Sequence, residues 1–170
     1  MAAVSTPALS QDELRLRDRL LEDLEHRGNA VVTVAPEDAE PGFCFTAGAW
    51  WKHGVPEAVV IGLPPRMGPV LLDAYVDRAA MGERFLPGVL YRDFFDGVPL
   101  TFEHVSQQHY PQYFGSAYVL YPDGAFPAVQ IIVPTPDGYW PWSVDAPAGF
   151  DQWQPVLTRT GRPESWTPEN

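Results

Sequence analysis

Residues 41–65 read PGFCFTAGAWWKHGVPEAVVIGLPP, two apolar runs bracketed by prolines and joined by a Trp-rich, Gly-punctuated connection. This stretch limits the fold more than any other, because proline cannot donate to a strand ladder and so ends each run where it stands. Phe43 and Phe45 alternate with Cys44 and Thr46, which is the period of a half-buried strand over residues 42–47. The second run is apolar almost throughout, and predicts a strand over residues 57–63 covered on both faces. Together they form the centre of a β-sheet, with a polar loop carrying His53 and Glu57 beside it.

The flanking sequence supplies the layers for that sheet. Ser10, with Glu13 three residues on, gives a capping-box start to a helix, and Gly28 gives its stop. Leu14, Leu20, Leu21 and Leu24 form its apolar stripe. A β-branched strand follows over residues 30–34, then a turn over 36–41. A second helix fits residues 66–80, with Met67, Val70, Leu71 and Ala74 at helical spacing and Pro69 early enough to be tolerated. Residues 83–97 read as a connection anchored by Leu90, Phe94 and Phe95. A strand is expected over residues 98–105, then a short helical turn or loop to residue 115. Two further strands, over 117–121 and 128–133, are expected as a hairpin across Pro122-Asp123-Gly124. The rest is a Pro-rich segment whose tryptophans lie over the surface.

The fold class expected is α+β: a single domain with a largely antiparallel β-sheet packed by two main helices. The domain is expected over residues 10–158, between a flexible N-terminal tail over 1–9 and a C-terminal tail over 159–170. The 170 residues are enough to bury one core, and 45% hydrophobic against 19% charged residues excludes a disordered chain. A net charge of -11 argues against a partner read through its phosphate backbone, so nucleic acid is not expected. The lone cysteine, Cys44, excludes an intramolecular disulfide and a Cys-based zinc cluster, and its place in an apolar run suggests a buried thiol. The N-terminal sequence has no signal-peptide pattern and no window suits a bilayer, so a cytoplasmic protein without membrane partners is expected.

No phosphate loop, paired-histidine metalloprotease motif or nucleophile elbow occurs. Candidate chemistry therefore rests on scattered residues. His53 and Glu57 flank a Gly-Val-Pro turn that could bring imidazole and carboxylate to one mouth as an acid/base pair, with His104 or His109 assisting. The alternative is a loop histidine beside a carboxylate that caps a backbone N–H. His104 falls on the apolar face of its strand and His109 follows it; their spacing is non-specific, and neither metal nor cofactor is expected. Thr46, Trp50, Trp51, Gln130, Trp140 and Trp142 are the candidate ligand-binding residues. The tryptophans stand beside Gly or Pro in connections, where an apolar body with a polar tip suits a cleft or interface. Gln130, between apolar neighbours, needs a partner if buried.

The motifs Phe43-Cys44-Phe45-Thr46-Ala47-Gly48 and Gly54-Val55-Pro56-Glu57-Ala58-Val59-Val60-Ile61-Gly62-Leu63 resemble the opening of a family of bacterial proteins, domain of unknown function 4262. Gln130-Ile131-Ile132-Val133-Pro134, Asp137-Gly138, Pro141-Trp142 and Gln154-Pro155 are similar to its C-terminal pattern. The resemblance implies an α+β fold and brings no activity with it. Phe45 stands where the family usually has a tyrosine. Two functions are expected from these residues: a binding or regulatory module with an aromatic-lined cleft for a small molecule or protein, or a small acid/base or hydrolytic enzyme.

Overall fold

Six strands form one sheet in the order β1-β2-β3-β6-β5-β4, and every neighbouring pair is antiparallel except β3 with β6. The strands are β1 (Val31–Val34), β2 (Phe43–Thr46), β3 (Glu57–Ile61), β4 (Tyr91–Phe95), β5 (Val98–His104) and β6 (Ala128–Ile132). The structure is a computed structural model that describes residues 8–165. Most of the expected N-terminal tail, and Trp166 in the C-terminal one, lie outside the described residues. The architecture is α+β, as the pattern of strands and helices predicts.

β3 is central because its five residues are all buried, and its alternating side chains serve two different cores. Val59 and Ile61 face a cluster with Phe45, Leu20, Leu24, Phe114 and Phe126, covered by α1 (Gln11–Arg27) and the short helical turns that follow β5. Ala58 and Val60 face a cluster with Leu71, Leu72, Tyr75, Leu100 and Phe102, covered by α3 (Met67–Ala80). The sheet is thus the middle of three layers.

The start of α1 follows its sequence: the Ser10 side chain accepts the Glu13 amide at 3.2 Å, and Gly28 closes the helix in the left-handed region at φ 78°. The basic end of α1 receives two side chains from elsewhere, considered below. No helix of the described residues is long and apolar enough to cross a membrane.

Three expectations need correction. The connection 83–97 contains β4, which turns into β5 at Asp96-Gly97, a dipeptide that favours hairpins. Residues 117–121 are not a strand and form no hairpin with β6. Gly115–Val119 is instead a 3-10 turn, continued by Leu120 and Tyr121 amides that both donate to the Ala117 carbonyl. Ala117, Val119, Leu120 and Tyr121 are all buried, which is not the in-and-out alternation of a half-buried strand. The segment after Thr46 is not a loop: it forms α2 (Ala49–His53). Residues 107–113, expected as a helical turn or loop, hold a 3-10 turn (Gln107–His109) and α4 (Tyr110–Tyr113).

Candidate functional site

Glu57 opens β3 and is fully buried. A carboxylate in such a position survives only if donors replace its water. Five do so here. Thr46 Oγ1 donates at 2.7 Å and the Ala49 amide at 3.0 Å to Oε1; the Gly48 and Trp50 amides, both at 3.1 Å, and the Tyr121 hydroxyl, at 2.6 Å, donate to Oε2. Tyr121 in turn accepts the Trp51 amide at 2.8 Å, and Thr46 accepts the Ala58 amide at 2.9 Å. The first-turn amides of α2 are therefore satisfied by one carboxylate and one phenol. Burial pushes the Glu57 carboxyl pKa up, and the bonds from Tyr121, Thr46, Trp50 and Gly48 oppose that rise. Burial and the nearby Glu57 charge push the Tyr121 phenol up as well.

His53, at the other end of α2, turns away from Glu57. Its Nε2 lies 2.7 Å from the Gly28 carbonyl, and Lys52 Nζ donates to the Leu24 carbonyl at 2.5 Å. Both side chains thus close the C-terminal end of α1, where free carbonyls and the helix dipole favour cations. His104 stays on the sheet face of Leu100 and Phe102 but stands exposed at its rim, where it lines a cleft. His109 Nε2 is 3.1 Å from the Thr158 carbonyl. Among the described residues, no hydrogen bond or ion pair joins any two of His53, Glu57, His104 and His109. No group of three or more His, Cys, Asp and Glu among the described residues is placed to hold a metal ion.

The candidate ligand-binding residues are equally dispersed. Thr46 is consumed in the Glu57 network. Gln130 is internal: its amide donates to the Pro155 carbonyl at 2.7 Å and its oxygen accepts the Leu157 amide at 2.8 Å. Trp50 and Trp51 are 41% and 53% exposed on α2, so neither plugs the sheet. Trp140 and Trp142 stack at 5.3 Å with 5° between their planes. Trp142 borders an open, polar hollow of about 330 Å³ with Asp151 and Arg162.

A different place offers a cleft with largely apolar walls. It lies where β2 begins and β3 ends, has a volume of about 440 Å³, and is lined by Val34, Pro36, Phe43, Cys44, Leu63 and Trp153 among others, with no charged side chain. Trp153 belongs to the one-turn α5 (Phe150–Trp153), and its indole N–H donates to the Gly62 carbonyl at 3.0 Å. Gly62 is required at this contact: its φ is 75°, and a Cβ would stand 2.6 Å from the Trp153 carbonyl oxygen. Burial pushes the Cys44 thiol in this wall up to about 11. Sequence reasoning found the strand ends that form the cleft, as the prolines of 64–65 and the glycines at 42 and 62. It missed Trp153, whose contact spans 91 residues and leaves no local signature.

The model of the family described as domain of unknown function 4262 matches residues 23–147, and the chain belongs to that family. The match includes Glu57, Thr46 and Tyr121, while Trp153 lies beyond it. No curated protein and no solved structure matches the chain.

Proposed function

We propose that this protein is a binding module that takes a small, uncharged, largely apolar molecule in the cleft between the start of β2, the end of β3 and Trp153. The observation that carries this reading is the lining itself: about 440 Å³ walled by aliphatic, proline and aromatic side chains without a charge. That size falls within the range of small-molecule sites, and apolar area withdrawn from water supplies the affinity. The indole of Trp153, 46% exposed at the rim, offers a planar surface against which a flat ligand can lie. The acid/base alternative gains nothing comparable, since His53 and Glu57 are each bonded to different parts of the scaffold.

The test is a fluorescence titration with N-phenyl-1-naphthylamine, a neutral apolar probe. One saturable site is expected, with about fivefold weaker binding in Trp153→Ala and near loss of binding in Leu63→Asp. Unsaturable binding, or equal affinity in both variants, overturns the proposal.

A further inference from the structure

A second cleft, of about 430 Å³, lies at the other end of α3 and of β3, and its chemistry differs. Its floor is apolar, formed by Val55, Val129 and the ring of Phe85, which stacks on Phe102 at 5.0 Å and 17°. The Tyr75 phenol in its wall is already committed, donating to the Pro56 carbonyl at 2.8 Å. Three charged or titratable side chains stand at the mouth: Glu83, Arg84 and His104.

They are not equivalent. Glu83 is already engaged by a two-pronged bond from Arg78, Nε to Oε1 at 3.0 Å and Nη2 to Oε2 at 2.7 Å, a guanidinium that also donates to Asp93 at 2.8 Å. Arg84 and His104 are exposed and have no hydrogen-bond or ion-pair partner among the described residues. On a chain with net charge -11, carboxylates are abundant, yet none compensates this pair. The result is an apolar floor with an unpaired guanidinium and an imidazole at its rim.

We infer that this cleft binds an amphipathic monocarboxylate, with its aromatic or aliphatic body on Phe85 and Val129 and its carboxylate between Arg84 and His104. A guanidinium presents two parallel N–H groups to a carboxylate, and an imidazole N–H adds a third donor. The volume suits a ligand of one or two rings. This site is separate from the apolar cleft: the two share no lining residue, and residues 57–59 of β3 lie between them. It therefore stands or falls independently of the proposed function.

The experiment compares 1-naphthaleneacetate with its neutral amide, 1-naphthaleneacetamide, by calorimetry on the full chain. The acid is expected to bind at one site and the amide about tenfold more weakly. Arg84→Glu should weaken the acid by about tenfold or more, Arg84→Lys by only about threefold, and His104→Ala by about threefold. Both positions are exposed and unpaired among the described residues, so the circular dichroism spectrum should not change in any of the three variants. No binding of the acid, equal binding of acid and amide, or full affinity in Arg84→Glu overturns the inference. So does loss of binding in Leu63→Asp with Arg84→Glu unaffected, which moves the ligand to the apolar cleft.

Discussion

The Tyr121 hydroxyl donates to Glu57 Oε2 at 2.6 Å across 64 residues of chain, while the hydroxyl oxygen of Tyr121 accepts the Trp51 amide at 2.8 Å. One phenol thus ties the 3-10 turn before β6, the first residue of β3 and the start of α2 into a single network. Glu57 is the acceptor at its centre, and Thr46 extends it to β2. Glu57, one of the residues expected in an acid/base pair, is in this arrangement the joint between the sheet and its neighbouring helices.

That joint predicts a large stability cost. In Glu57→Gln the amide nitrogen must face donors, and the charge that strengthens the remaining bonds is gone. A loss of roughly 2–4 kcal/mol is expected in urea denaturation. Tyr121→Phe should lose roughly 1–2 kcal/mol, and the two substitutions together should be non-additive by more than about 0.5 kcal/mol. His53→Ala, which removes one bond at a half-buried site, should cost about 1 kcal/mol or less. An unaltered midpoint in Glu57→Gln would contradict the role assigned to that carboxylate.

Gly68 gives a prediction whose sign opposes helix propensity. It lies in the first turn of α3, where Ala ordinarily stabilises by up to about 1 kcal/mol. Here a Cβ would fall on the Cys44 sulfur and within 3.3 Å of Val60 Cγ2. Gly68→Ala should therefore destabilise by roughly 1–3 kcal/mol, as overpacking does. The double variant Gly68→Ala/Cys44→Ala should recover part of that loss, because the sulfur is removed. A stabilised Gly68→Ala by calorimetric melting would show that α3 does not sit this close to β2.

The elements that were legible in the sequence are those set by local rules. Ser10 and Gly28 mark both ends of α1, and the period-two run of β2 and the apolar run of β3 are strands as expected. Burial of apolar area on two faces leaves those segments little choice. The failures share a cause. A strand over 117–121 is the wrong expectation because a run of four or five residues does not separate a period of two from a tight helical turn. Asp96-Gly97 carries a hairpin signal, but Arg92-Asp93 before it and Pro99 after it break the alternation of the two strands it joins. The site was harder still. The alternative of a capping carboxylate was visible at Glu57, but that its donors would come from α2, Thr46 and Tyr121 depends on contacts distant in sequence. Trp153 reaches Gly62 only after the whole sheet is built.

The C-terminal segment is held by two glutamine side chains that imitate a strand. Gln130 bonds the Pro155 carbonyl and the Leu157 amide, while Gln154 accepts the Val133 amide at 3.0 Å and donates to its carbonyl at 2.7 Å. Each side-chain amide thus does the work of a peptide group, and fixes Leu157 in the α1-side core. Gln130→Ala leaves two backbone groups without partners and should cost roughly 2–4 kcal/mol. Gln154→Ala should cost a similar amount. Limited proteolysis should then cut near residues 154–158 before any other site, whereas equal resistance of variant and parent would show that the segment is held by other contacts.

Cys44 connects stability, pH and the apolar cleft. Burial holds its thiol near pKa 11, against about 8.5 in an unfolded chain. Between those values the unfolded state has lost the proton and the native state keeps it, so stability must fall as pH rises through this window. The loss attributable to Cys44 should reach about 1–2 kcal/mol by pH 10, read as the difference in slope between the parent and Cys44→Ala from pH 7 to pH 10. Equal slopes would mean that the thiol ionises normally. The same burial predicts slow alkylation by iodoacetamide at pH 8, since the thiolate is the nucleophile. Because Cys44 lines the cleft, N-phenyl-1-naphthylamine at saturation should slow that reaction further. Protection in the parent but not in Leu63→Asp would place the probe against the thiol; alkylation at an unchanged rate would place it elsewhere.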